Sequence, residues 1–174
     1  LLIATMGSAF VVVLSLPGLR SFFALDLPPP VVLLAEVGVA VLAGLTLYPD
    51  LFQAGIDVVG ISNFATFLEQ TSSYRRYWRE VEYGSLETDR AFLDSISPLH
   101  KADRIKAPLL VIQGANDPRV PANEAEQIVS AIRARGGDVE YLLYADEGHG
   151  LSKLKNRIEA YPKVADFLDR HVKN

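Results

Sequence analysis

The chain contains no cysteine, so disulfides, thiolate nucleophiles and cysteine metal sites are excluded. It also lacks any excess of positive charge. Seventeen lysines and arginines stand against twenty-one carboxylates, a formal net charge of −4 that supplies no field for a polyanion, and no nucleic-acid partner is expected. Histidine is scarce, with three in all, and none lies at metal-ligand spacing from other His, Asp or Glu residues. No metal and no cofactor are expected. Residues 1–19 carry no charge, yet Gly7, Ser8, Ser15 and Pro17-Gly18 interrupt them and they include no basic n-region. They read as two short buried strands and not as a membrane span or a signal peptide, so no membrane partner is expected. Without cysteine the compartment is open, and the cytoplasm is the default expectation. No internal repeat or low-complexity linker is visible, which predicts one domain over residues 1–174.

What is present is concentrated in two loops near the end of the chain. The apolar run 107–113 is followed by Gly114-Ala115-Asn116-Asp117-Pro118-Arg119-Val120-Pro121, and the run 139–144 is followed by Asp146-Glu147-Gly148-His149-Gly150. Between them Ala125, Ile128, Val129 and Ile132 form a helical stripe that Gly136-Gly137 should stop. A strand, a helix and a strand in that order predict a parallel pair, with Asp117 and His149 at the carboxyl ends of adjacent strands, where open α/β sheets keep their sites. An imidazole can take a hydroxyl proton near neutral pH, and a carboxylate beside it fixes its tautomer and stabilises the imidazolium. Asp117 is therefore the candidate orienting residue and His149 the candidate general base. The two are expected within hydrogen-bond reach.

The order Asp then His is that of the later two members of an α/β-hydrolase triad. From about Val41 onward the chain resembles the catalytic domain of the prolyl oligopeptidase family of serine peptidases, most closely its acylaminoacyl-peptidase and dipeptidyl-peptidase branches. The resemblance rests on residues 42–52 (LAGLTLYPDLF), 54–60 (AGIDVVG), Ser97-Pro98-Leu99, 105–114 (IKAPLLVIQG) and the two loops. It implies an α/β fold, a mostly parallel sheet with helices on both faces. The chain is shorter than a complete domain of this family and has no preceding propeller, so it is expected to be a carboxyl-terminal part with an incomplete sheet. An incomplete sheet would leave an edge open to pairing with a second copy.

The resemblance also places a Gly-Gly-Ser-Tyr-Gly-Gly elbow immediately before residue 41. There the chain reads Leu34-Ala35-Glu36-Val37-Gly38, with Ala35 at the serine position and only Gly38 matching, and Gly-x-Ser-x-Gly occurs nowhere. Codons can be chosen for residues 34–37 that read Gly-Gly-Ser in the adjacent frame. Ser8 follows an apolar run as a strand-end serine would, but it lacks the later glycines, and Ser15 and Ser21 are weaker candidates still.

Elsewhere, Pro28-Pro29-Pro30 is a stiff connector, residues 31–47 tend to helix, 56–61 read as a strand and 86–94 as a helix. Residues 64–84 form an excursion with a polar, aromatic surface, including Tyr74-Arg75-Arg76-Tyr77-Trp78-Arg79 over the mouth of the site. The last helix starts near Asn156, with Ile158, Tyr161, Ala165 and Leu168 expected to face the sheet. His100 and His171 read as loop and surface residues. Asp146 and Glu147 read as solvated loop charges, with tuning of His149 as the alternative. Arg119 reads as an ion-pair partner within its loop, with contact to a substrate carboxylate as the alternative.

Three functions stay open at this level. The first is a serine hydrolase of the prolyl oligopeptidase type that cleaves peptide, acylaminoacyl or ester bonds through an acyl-enzyme. The second is a catalytically inactive, hydrolase-derived fragment or interaction module. The third is a small esterase with an unorthodox serine.

Overall fold

A computed structural model describes residues 38–172. The expectations for residues 1–37, namely the two early strands, the proline connector, the elbow position at Ala35 and the serines Ser8, Ser15 and Ser21, lie outside the described residues. Within them the chain runs α1 (Gly38–Leu47), β1 (Gly55–Val58), α2 (Phe64–Gln70), α3 (Ser73–Tyr83), α4 (Arg90–Ile96), a 3₁₀ turn (Pro98–Arg104), β2 (Leu109–Gly114), α5 (Ala122–Ala134), β3 (Val139–Tyr144) and α6 (Leu154–His171).

The three strands form a parallel sheet in the order β1-β2-β3, with Gly55 opposite Leu109 and Leu109 opposite Val139. β2 is buried at all six residues, as expected of a central strand covered on both faces. Its side chains alternate between two cores. Leu109 and Val111 pack with Leu42 and Leu45 of α1 and with Ala125, Ile128, Val129 and Ile132 of α5. Leu110 and Ile112 pack with Ala160 and Phe167 of α6 on the opposite face. Each fully buried Leu or Ile contributes roughly 1.5–3 kcal/mol by leaving water. A third core under α2 and α4 gathers Ile61, Phe64, Phe67, Leu68, Leu93 and Val120.

Local chemistry sets the ends of the elements. Asn63 caps α2 by accepting hydrogen bonds from the backbone N–H groups of Ala65 and Thr66 at 3.0 and 3.4 Å. Gly136, at φ +74°, lets the chain leave α5 in the left-handed conformation. The strand expected over residues 56–61 stops at Val58, because Val59 turns to φ +53°, a conformation rare for a β-branched residue. The helix expected over 86–94 begins only at Arg90. The excursion over 64–84 is two helices. α2 is buried through Phe64, Ala65, Phe67 and Leu68, whereas α3 buries no residue fully and exposes Tyr74, Tyr77 and Trp78.

α6 turns a different face inward from the one the sequence suggests. Ile158, Tyr161 and Leu168 are exposed, Ile158 by 65%, and Asn156, Ala160 and Phe167 are buried instead. Asn156 decides the choice. Its amide donates to Asp146 Oδ1 at 2.9 Å and to Glu147 Oε1 at 2.8 Å, which ties the first turn of α6 to the loop after β3.

Asp57 of β1 is fully buried, and neither carboxylate oxygen has a hydrogen-bond partner among the described residues. Burial pushes its carboxyl up to about 7. A folded-state value above the unfolded one means that ionisation opposes folding. The cost is absent below about pH 4, grows as pH rises towards 7 and then levels, at most about 4 kcal/mol. Asp57→Asn is therefore expected to raise the urea midpoint at pH 8, and the gain should vanish at pH 4.

Candidate active site

β2 ends at Gly114 and β3 at Tyr144, side by side, and the loops leaving them are bonded along their backbones. The N–H of Ala115 donates to the Tyr144 carbonyl at 2.9 Å, and that of Asn116 to the Glu147 carbonyl at 3.0 Å. Gly114 makes this approach feasible. A Cβ there would lie 2.1 Å from the Gly148 carbonyl oxygen and 2.7 Å from that of Glu147, both backbone atoms that have no room to yield.

The loops bring the two candidate residues together. Asp117 Oδ2 lies 2.8 Å from His149 Nδ1, the approach the sequence predicts. The other carboxylate oxygen, Oδ1, accepts the backbone N–H groups of Arg119 at 2.7 Å and Val120 at 3.0 Å. Burial alone would push the Asp117 carboxyl up, but the bond to His149 and the two backbone donors outweigh it and hold the carboxyl below its ordinary range. An ionised carboxylate only accepts, so Nδ1 carries a proton towards it, and in the neutral ring the lone pair is on Nε2. The Asp117 side chain is fully buried and that of His149 is 32% exposed. The carboxylate is thus shielded while the imidazole faces outward.

Three supporting features were not legible as such. Gln113, buried at the end of β2, donates to the carbonyls of Gly114 and Val120 at 3.1 Å and approaches Asp117 Oδ2 at 3.4 Å, which braces the loop from beneath. A polar residue ending an otherwise apolar central strand is the signal that marks it. Glu124 of α5 is buried as well, and it accepts from the Asn63 N–H at 2.8 Å and the Thr66 hydroxyl at 2.6 Å, tying α5 to the chain after β1. The third is Glu147, which is 1% exposed and is not the solvated loop charge the sequence suggests. It accepts from the Ser152 N–H and hydroxyl, the Lys153 N–H and the Asn156 amide, at 2.8 to 3.1 Å. These bonds overcome the upward push of burial and bring its carboxyl down to about 2.

Asp146 fits the sequence reading better. It is half-exposed, pairs with Lys153 and Lys155 at 2.9 and 2.8 Å, and is held below its ordinary range by them. Arg119 does not form the expected ion pair among the described residues, and its backbone N–H is what stabilises the loop. His100 lies beside Asp94 and His171 against the Phe167 ring, so neither joins the Asp117–His149 pair.

Glu147→Gln removes the charge that gathers these donors and turns an amide N–H₂ towards them. The expected loss is about 1–3 kcal/mol at pH 7, read by urea denaturation. Because the folded carboxyl lies below the unfolded one, that contribution is complete above about pH 5 and fades as pH falls towards 2, so parent and variant should converge in acid.

Comparison with known proteins agrees with this fold. Residues 38–174 match the Prolyl oligopeptidase family. The chain is 45% identical over 124 residues to dipeptidyl aminopeptidase BIII of Pseudoxanthomonas mexicana, covering 68% of this chain and 18% of that protein. It is 38% identical over 139 residues to dipeptidyl peptidase family member 6 of Caenorhabditis elegans, covering 76% and 19%. Among solved structures, the Pyrococcus horikoshii acylaminoacyl peptidase superposes with a TM-score of 0.70 at 28% identity, over 79% of this chain and 23% of that one. A Mycobacterium tuberculosis puromycin-hydrolyzing peptidase gives 0.73 at 29% identity, over 78% and 20%. The chain thus spans about a fifth of the length of the relatives it matches. Its parallel sheet is that of an α/β-hydrolase peptidase, and the chain belongs to the prolyl oligopeptidase family.

Proposed function

We propose that this chain carries the acid–base half of a serine-peptidase site, with His149 as general base and acid and Asp117 as the residue that orients it. The observation that carries the reading is the 2.8 Å bond between two residues on strand-end loops, with the base exposed and its orienter buried. In the reaction so read, His149 Nε2 takes the proton of a serine hydroxyl as its oxygen adds to the carbonyl of a peptide, acylaminoacyl or ester bond. The same proton passes to the leaving amine or alcohol as the acyl-enzyme forms. Water, deprotonated in turn by Nε2, then adds to the acyl carbon, and the acid leaves as the proton on Nε2 returns to the serine oxygen. Backbone N–H groups near the nucleophile would hold the oxyanion.

One observation favours the second reading, a family member without catalysis. Gly-x-Ser-x-Gly is absent from the sequence, and no hydroxyl hydrogen-bonds His149 among the described residues. Ser62 and Ser152 are committed to Glu124 and Glu147 respectively. The macromolecular partner we propose is a second copy, because β3 pairs on one side only among the described residues.

The chain with the sequence given is expected to take up no fluorophosphonate and to turn over no aminoacyl anilide. Writing the family elbow into it, as Leu33→Gly, Leu34→Gly, Ala35→Ser, Glu36→Tyr and Val37→Gly, should create fluorophosphonate labelling at position 35. His149→Ala in that background should abolish turnover, a loss on the order of a million-fold where such triads have been dissected, and Asp117→Asn should cost about 10⁴-fold. Labelling of the parent chain at another serine would favour the esterase. Turnover indifferent to His149 would refute the role assigned to it.

A further inference from the structure

α3 is amphipathic in the inverted sense. A surface helix normally turns its charges to water and its apolar stripe to the core. Here Tyr74, Tyr77, Trp78 and Val81, spaced i, i+3, i+4 and i+7, are all exposed, Trp78 by 70%. The inward side is held by arginines instead. Arg76 donates to the carbonyls of Glu69 and Thr71 at 2.8 and 3.4 Å, and Arg75 to that of Pro118 at 3.2 Å. Arg79 stands over the rings of Phe67 and Tyr83, each centroid 5.9 Å away, and Tyr83 packs on Phe64 with ring centroids 5.2 Å apart. The helix cannot roll its stripe inward without breaking these contacts.

The stripe is large enough to drive an association. Three aromatic side chains and a valine at these exposures offer roughly 500 Å² of apolar surface per copy, so two copies that covered it would bury about 1,000 Å², the lower bound of a specific interface. Its borders select the occupant. Ser73 and Glu80 lie two turns apart along one border, and Arg75 and Glu82 along the other. When a second copy packs antiparallel about a two-fold axis, like border meets like border. Arg75 of each copy then faces the partner's Glu82, and Glu80 faces only the partner's Ser73. A parallel copy would instead set Glu82 level with the partner's Glu80, carboxylate against carboxylate. Glu82 holds Arg79 at 2.8 Å while staying 53% exposed, which leaves room for a second guanidinium. Tyr77 and Trp78, edge-to-face with centroids 5.3 Å apart, fall at the middle of the stripe, where the axis would pass.

We propose that the exposed face of α3 is the contact surface for a second copy of this chain, with the two helices antiparallel across a two-fold axis at Tyr77 and Trp78. The inference rests on the second copy already proposed as partner and gives it a surface apart from the unpaired edge of β3. The contact is isologous, so each side chain acts twice.

Trp78 is the single tryptophan of the chain, so its emission reports the contact directly. The full chain is followed by sedimentation equilibrium and by tryptophan fluorescence from micromolar to sub-millimolar concentration. The expected result is a monomer–dimer equilibrium that runs in step with a blue shift as Trp78 leaves water. Tyr77→Ala should raise the dimer Kd by about a hundredfold, roughly tenfold for each of the two rings lost. Its circular dichroism should match the parent's, since Tyr77 is exposed and belongs to no core cluster. Arg75→Glu should weaken the dimer by about tenfold, and adding Glu82→Arg should restore it, because both pairs are then reversed together. A dimer that forms without shifting the Trp78 emission would overturn this proposal and leave pairing through β3 standing. A chain that stays monomeric throughout, a Tyr77→Ala chain that associates as the parent does, or a double charge reversal that fails to restore the dimer would overturn it as well.

Discussion

The site depends on one close approach, that of Gly114 to the backbone of Glu147 and Gly148. Parallel strands bring their carboxyl ends to one edge of the sheet, but the loops that follow normally diverge. Here a residue without a Cβ lets them touch, and the N–H groups of Ala115 and Asn116 bond across the contact. From that fixed point Asp117 is three residues away on one loop, and His149 is one residue beyond Gly148 on the other. The 2.8 Å bond between them follows from the contact. A methyl group at residue 114 would force the loops apart without altering Asp117 or His149 themselves.

The polar groups buried around this contact are tolerated because nearly every one has partners. Gln113 is spent on the carbonyls of Gly114 and Val120, Glu147 on the backbone and side chains of residues 152–156, and Glu124 on the 62–66 segment. An unpaired buried polar group costs about 1–3 kcal/mol, so each network holds its loop in a single arrangement. Asp57 is one of the described residues left with unpartnered buried oxygens, and its raised carboxyl is the consequence.

Elements governed by a single strong pattern were legible in the sequence. The stripe from Ala125 to Ile132, the apolar run that became β2 and the pairing of Asp117 with His149 follow from periodicity and from the order of strand, helix and strand. Where two patterns competed, the tertiary structure decided. α6 carries apolar residues on two faces, and the hydrogen bonds of Asn156, with Phe167 against the sheet, chose the face with fewer of them. Glu147 looked like a solvated charge, because the donors that bury it lie five to nine residues on and are gathered only when α6 folds back.

The central claim is that Asp117 fixes His149 with its proton on Nδ1 and its lone pair on Nε2. Nitrogen-15 NMR of the His149 ring in the full chain at neutral pH reads this directly. The account predicts a protonated Nδ1 with a strongly deshielded proton, an unprotonated Nε2, and loss of both signatures in Asp117→Asn. A ring protonated on Nε2, or one whose tautomer does not respond to Asp117→Asn, would contradict it.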